Sequence, residues 1–242
     1  MPSSRTTLPV AILAGGRATR LQSVTQDVPK ALLDVAGKPF AVHQIELLKA
    51  NGLADLVFCV GHLGRAIENA LGNGGRWGVR IQYVHDGDVL RGTGGALHHA
   101  IEQLGEAFFV LYGDSYLDCD YQAVARAFRA SGRSGLMTVF RNENRWDRSN
   151  VLFENGRIMR YDKQTATSDM RHIDYGLGVF RSSAFAGRSD AEPFDLVAVY
   201  QALIAQNDLA GFEVPHRFYE IGSPSGLEET RAYLAEKATA VR

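Results

Sequence analysis

The feature that most constrains this chain is a regular alternation of short apolar runs with helix-like segments. "LPVAILA" (Leu8–Ala14), "ADLVFCVG" (Ala54–Gly61), "VRIQYVH" (Val79–His85), "AFFVLYGD" (Ala107–Asp114) and "SGLMTVFR" (Ser134–Arg141) read as strands. Several are almost continuously apolar, the pattern of strands covered on both faces. Between them, "PFAVHQIELLKANG", "LGRAIENALG", "TGGALHHAIEQLG" and "YQAVARAFRASG" read as helices. Pro39 suits the start of the first, because its missing N–H is unpaired at a helix start anyway. Gly52, Gly72, Gly105 and Gly132 stand where helices commonly end. Such alternation predicts crossover units, and so an α/β fold with a mostly parallel central sheet and helices on both faces.

In sheets of this kind ligands gather at the carboxyl ends of the strands. The loops of interest are therefore "GGRATR" after the first strand, "HDGDVLRGTGG" after the third and "GDSYLD" after the fourth. The last third changes texture. A hairpin is predicted to turn at Glu154-Asn155-Gly156. The strand "DYGLGVF", the helix "PFDLVAVYQALIAQN", the short strands "GFEV" and "RFYEI" and a capped helix "SPSGLEETRAYLAEKA" follow, as a small α+β cap. No Pro/Gly/Ser-rich linker or internal repeat interrupts the 242 residues, so one domain over 1–242 is expected.

Composition removes several classes. The formal net charge is −1, so no global basic field points to nucleic acid or an anionic membrane, and any anion binding has to be local. No apolar run approaches the ~18 residues of a membrane helix, and no charged-then-apolar leader precedes the first strand. A cytoplasmic protein is expected. The two cysteines, Cys59 and Cys119, fit neither a disulfide framework nor a zinc site, and read as buried fillers.

The stretch "LAGGRATRL" fails both common phosphate motifs. It lacks the third Gly of G-x-G-x-x-G, and Gly37-Lys38 has Leu32 and Pro39 where G-x-x-x-x-G-K-[ST] needs Gly and a hydroxyl. What remains is a strand-to-loop turn whose Gly15 and Gly16 N–H groups suit anionic oxygens, with Arg20 adding bidentate charge; a plain turn with solvated arginines is the alternative. The downstream segments shift the balance. Leu13-Ala14-Gly15-Gly16, Thr19-Arg20-Leu21, Pro29-Lys30 and Gly37-Lys38-Pro39 together resemble the sugar-1-phosphate nucleotidyltransferases, whose opening reads L-A-G-G-x-G-T-R-L, then P-K, then G-K-P. "RGTGGAL" (Arg91–Leu97) is similar to the family's G-T-A-G-A-L beside the base, and "YGDS" (Tyr112–Ser115) to the G-D-x whose Asp holds the metal. "YDK" (Tyr161–Lys163) is similar to its E-K pair at the sugar and its phosphate. "YEIGSPSGL" resembles its W-x-D-I-G-T-P, whose Asp is the second metal ligand.

The resemblance implies a Rossmann-like nucleotidyltransferase fold, with a nucleotide-binding part over about 1–141 and a sugar-phosphate part over about 142–242. It implies Mg²⁺ held by Asp114 and Glu220, and Arg20, Lys30 and Asp114 as the catalytic set. Leu13, Ala14, Gly15, Gly16, Thr19, Arg20, Asp86, Gly92 and Thr93 would bind the nucleotide. Lys30, Asn150, Asp162, Lys163 and Asp174 would bind the sugar phosphate. The partners expected are small molecules, without nucleic acid or membrane, and a homodimer is left open. The implied reaction is attack by a sugar-1-phosphate oxygen on the α-phosphorus of a nucleoside triphosphate, expelling pyrophosphate. A phosphate monoester, with a second pKa of about 6, is already largely ionised at neutral pH and needs no general base. The difficulty is electrostatic, which is why carboxylate-held Mg²⁺, cationic clamps and loop amides fit the task.

Asp86 or Asp88 suits a guanine amino group as acceptor, although either also suits an exposed turn. His98-His99 are adjacent on a helix and point different ways, so they read as structural or exposed. Ala18, Asn150 and Glu220 depart from the family's Gly, Gly and Asp. The short form with "DVPK" and "DYGLGVF" most resembles the D-glycero-D-manno-heptose 1-phosphate guanylyltransferases of bacterial surface-polysaccharide synthesis. A uridylyltransferase acting on an amino-sugar or muramic acid phosphate, and a non-catalytic NDP-sugar-binding regulator, are the alternatives.

Overall fold

The computed structural model describes residues 7–16, 28–189 and 192–240. Its first half runs β1 (Val10–Leu13), a small hairpin of β2 (Asp34–Val35) and β3 (Lys38–Pro39), α1 (Phe40–Ala50), β4 (Asp55–Val60), α2 (Gly64–Leu71), β5 (Arg80–His85), α3 (Gly92–His99), α4 (Ile101–Leu104) and β6 (Ala107–Tyr112). The apolar runs become strands because both faces are covered: Val10, Ala11 and Ile12 have no exposed surface. β1 pairs in parallel with β4 and with β6, and β4 pairs in parallel with β5. Pro39 lies in β3, and helix α1 opens one residue later, at Phe40. The Gly37 of the Gly-Lys-Pro segment serves the β2–β3 turn, where Ala36 and Gly37 have φ of 50° and 85°.

The second half runs β7 (Ser115–Tyr116), α5 (Tyr121–Ser131), β8 (Gly135–Arg141), β9 (Val151–Glu154), β10 (Arg157–Tyr161), β11 (His172–Arg181), α6 (Leu196–Ala205), β12 (Leu209–Val214), β13 (Tyr219–Glu220) and α7 (Pro224–Ala240). Among the described residues the main sheet has the order β5-β4-β1-β6-β11-β8-β12-β10-β9. The sheet is parallel from β5 to β6 and mixed as a whole. β11 runs antiparallel to both β6 and β8, while β12 is parallel to β8. The reason is connectivity: β8 reaches β11 through the β9–β10 hairpin and not through a crossover helix, so the returning strand reverses. That hairpin turns at Asn155-Gly156 with φ of 50° and 76°, the two positive values a tight two-residue turn requires.

Apolar layers cover both faces of the sheet. A smaller cluster joins Leu227 and Leu234 of α7 to Val35 and Phe40 near the start of the chain. Helix α7 begins as its sequence predicts: Pro224 is its first residue, and the Ser223 hydroxyl accepts from the Gly226 N–H at 3.0 Å. The cap is thereby fastened back onto the first half. Burial pushes both the Cys59 and Cys119 thiols up to about 12, in keeping with inert fillers. Among the described residues no helix is long and apolar enough to cross a membrane.

Candidate functional site

A cleft of about 260 Å³ opens where β4, β1 and β6 end, floored by Leu13, Ala14, Gly15 and Gly16. The strand ends approach closely here. A Cβ on Gly113 would stand 2.9 Å from the Leu13 carbonyl oxygen, and one on Gly61 would meet the Leu90 side chain at 2.6 Å and Asp86 Oδ2 at 2.9 Å. Asp86 Oδ2 also lies 3.3 Å from where a Cβ on Gly15 would be. Asp86 is therefore the acid set against the glycine turn, at 8% exposure, whereas Asp88 is exposed. Burial holds the Asp86 carboxyl above its ordinary range, an effect that Arg91 only partly offsets.

Asp114 follows Gly113 at the end of β6. Its Oδ2 lies 3.2 Å from Lys30 Nζ, and its carbonyl accepts from the Ile221 N–H at 2.9 Å. That bond brings β13 alongside, where Glu220 pairs with Ser115 of β7. The Glu220 carboxylate accepts from the Gly222 N–H, from the Ser223 N–H at 3.1 Å and from the Ser223 hydroxyl at 2.5 Å. Gly222 has room for no side chain at the centre of this group. A Cβ there would lie 2.8 Å from Glu220 Oε2, 3.2 Å from Asp114 Oδ2 and 3.5 Å from Lys30 Nζ.

The sugar-phosphate candidates gather around Tyr112. Burial drives its phenol far up, with Asp174, Asp114 and Asp195 adding to the effect. Asp174 is 5% exposed; its Oδ2 accepts from the Tyr161 hydroxyl at 2.7 Å and lies 3.9 Å from Lys163 Nζ. The Lys163 ammonium stands 5.4 Å from the centre of the Tyr112 ring. Asn150 accepts from the Asp174 N–H at 3.0 Å through its side chain, and so orients that acid. Asp162 also serves its own loop. Its Oδ1 accepts from the N–H groups of Gln164 and Thr165, at 2.9 and 2.8 Å, and holds its own turn.

Gly92 and Thr93 also pack against the segment before α6. A Cβ on Gly92 would come within 2.6 Å of the Phe194 carbonyl oxygen, and one on Gly94 within 2.4 Å of the Phe194 ring, so these glycines seat Phe194. The Thr93 hydroxyl accepts from the Leu196 N–H at 2.8 Å. Both residues still line the cleft, and Asp195 lines it with them. Sequence reasoning missed Phe194 and Asp195. The only signal was "PFD" at the head of a helix, which reads equally as an ordinary start. Thr19 and Arg20, with Arg17, Ala18 and Leu21, lie outside the described residues.

The profile of the family described as nucleotidyl transferase matches residues 10–150, which supply most of the cleft's lining. The chain belongs to this family. It is 30% identical over 220 residues to mannose-1-phosphate guanyltransferase beta-B of Xenopus laevis, covering 88% of this chain and 61% of that protein. The chain thus spans less than two thirds of the guanyltransferases it resembles. To N-acetylmuramate alpha-1-phosphate uridylyltransferase of Neisseria meningitidis it is 29% identical over 225 residues, covering 91% of this chain and 96% of that one. The crystal structure of HddC from Yersinia pseudotuberculosis has the same fold, with a TM-score of 0.77 at 21% identity over 94% of this chain and 100% of that one.

The donor set around Gly222 suits a small hard cation. Two carboxylates from different elements converge on one cradle, and Mg²⁺ is commonly held by one or two carboxylates together with substrate phosphates. Among the described residues no group of three or more His, Cys, Asp or Glu could hold a metal, so an all-protein cage is not built here.

Proposed function

We propose that this family member transfers a nucleotidyl group from a nucleoside triphosphate to a sugar 1-phosphate, releasing pyrophosphate. The observation that carries this reading is the convergence of Lys30, Asp114 and Glu220 on the bare Cα of Gly222, at the end of a glycine-floored cleft. Lys30 would neutralise the meeting anions. Asp114 and Glu220 would hold Mg²⁺, which when bound offsets the charge moving onto the leaving pyrophosphate. Asp174, oriented by Asn150 and Tyr161, offers an acceptor for sugar hydroxyls, and Lys163 a cation for the sugar's phosphate. Arg20 and the Gly15-Gly16 turn complete the proposed clamp on the triphosphate.

GTP and D-glycero-D-manno-heptose 1-phosphate are the first substrates we propose, for NDP-sugar synthesis feeding bacterial surface polysaccharide. Asp86 favours guanine: a carboxylate accepts from the adjacent N–H groups of its edge, whereas uracil flanks its single N–H with two carbonyl oxygens that repel it. A uridylyltransferase acting on a muramic acid phosphate is the second reading, favoured by near end-to-end similarity to the Neisseria meningitidis protein. Lys30 and Asp114 together argue against a non-catalytic binding module, which has no use for a clamp on a leaving group.

The test is pyrophosphate release with Mg²⁺, each nucleoside triphosphate in turn and a panel of sugar 1-phosphates. Release is expected with GTP and the heptose phosphate, and Asp114→Asn should slow it at least roughly a hundredfold while circular dichroism stays unchanged. Silence with every pair would refute transfer, and turnover with UTP alone would replace the guanylyl reading with the second one.

A further inference from the structure

Asp195 occupies the N-cap position of α6, where an Asp side chain ordinarily accepts from the backbone of its own helix. Here it makes no such bond. The Thr93 hydroxyl caps the helix in its place, accepting from the Leu196 N–H at 2.8 Å and donating to Asp195 Oδ1 at 3.3 Å. Asp195 is among the residues that line the cleft. Its position is held firmly from below. The Phe194 N–H donates to the Arg91 carbonyl at 3.0 Å, and the Gly94 and Gly95 N–H groups donate to the Phe194 carbonyl at 2.9 and 3.1 Å. Gly92 and Gly94 exist as glycines to admit this segment.

A carboxylate is acceptor-only, and it repels phosphate, so it suits a neutral polyol and not the triphosphate. Asp195 is linked to both ends of the proposed nucleotide site. Thr93 ties it to the segment beginning at Asp86, and its field reaches Tyr112, two residues before Asp114. The neutral part of a nucleotide that joins base to phosphates is the ribose, whose vicinal hydroxyls a carboxylate reads well. We propose that Asp195, held by Thr93, accepts from the ribose hydroxyls and makes the site selective for ribonucleoside over 2′-deoxyribonucleoside triphosphates. The inference rests on the nucleotide-binding reading of the cleft and names a specificity residue for it.

The test is calorimetric titration of the wild type, Asp195→Ala and Asp195→Asn with Mg²⁺ and each ribonucleoside triphosphate or its 2′-deoxy counterpart, without sugar phosphate. The wild type should bind the favoured ribonucleotide at least roughly tenfold more tightly than the deoxy form. Asp195→Ala should lower that preference to within roughly threefold, chiefly by weakening the ribonucleotide. Asp195→Asn, matched in shape, should fold as the wild type does and keep part of the preference through its amide oxygen. Equal wild-type binding of both forms, equal weakening of both in Asp195→Ala, or no nucleotide binding at all would overturn the proposal. A preference abolished by Asp195→Ala in a protein that releases no pyrophosphate would uphold the role of Asp195 while refuting nucleotidyl transfer.

Discussion

Gly222 shows how a single missing side chain organises the proposed site. Its Cα borders both carboxylates and the lysine, and a methyl group there would lie 2.8 Å from Glu220 Oε2, closer than contact allows. Gly222→Ala is therefore expected to fold, because the carboxylate end can yield, but to displace Glu220 from its three donors. A shift of about 1 Å in a reacting group costs on the order of a hundredfold, so pyrophosphate release should fall by that order, and the melting temperature should fall as well because the bonds to Glu220 that hold the turn are weakened. A variant of near wild-type rate would show that Glu220 takes no part. The two acids at this cradle were legible in the sequence through "YGDS" and "YEIGSPSGL", as types at fixed places in a pattern. That Glu220 is also the acceptor for the turn opening α7 was not legible, because those bonds depend on a rotamer and a loop path. Nor was it legible that Asp162 of "YDK" accepts from the Gln164 and Thr165 N–H groups of its own turn.

At the level of elements, α7 determines how well β13 is held. The Tyr233 hydroxyl donates to Asp118 Oδ2 at 2.7 Å, Lys237 pairs with the same oxygen, and the Tyr233 ring stacks on Tyr219 with centroids 4.0 Å apart. Tyr219 precedes Glu220, so the helix's anchorage reaches the site. Tyr233→Phe keeps the stack and loses one bond to a charged acceptor, and should cost about 1.5–3 kcal/mol in urea unfolding. Leu234→Ala, at a position 4% exposed, should cost about 2–5 kcal/mol. Equal, negligible losses in both would show that α7 is not part of the cooperative unit. The helix itself was readable from Ser223-Pro224, but its landing place was not, since the cluster that receives it is drawn from Leu33, Val35 and Phe40.

Across the whole molecule, one buried and one partly buried histidine couple stability to pH. Burial lowers the pKa of His43, whose Nε2 donates to the Val35 carbonyl at 2.6 Å, and burial likewise lowers that of His172. The unfolded chain then binds more protons than the folded one between the lowered values and 6.5. Stability should be full above 6.5 and fall as pH drops through that window. His43→Gln should flatten part of this slope in melting curves taken from pH 7 downward; an unchanged slope would assign the dependence elsewhere. The order of apolar runs and glycine breaks determined by itself that β1, β4, β5 and β6 form a parallel sheet whose carboxyl ends border a cleft. Period and turn chemistry are local, and a strand buried on both faces has few other solutions. Only the tertiary structure decided that β11 enters antiparallel, that Phe194 fills the glycine face of α3, and that Thr93, and not Asp195, caps α6 where Asp195 lines the cleft. Each of these depends on contacts between residues far apart in the chain, where geometry and not composition selects the partner.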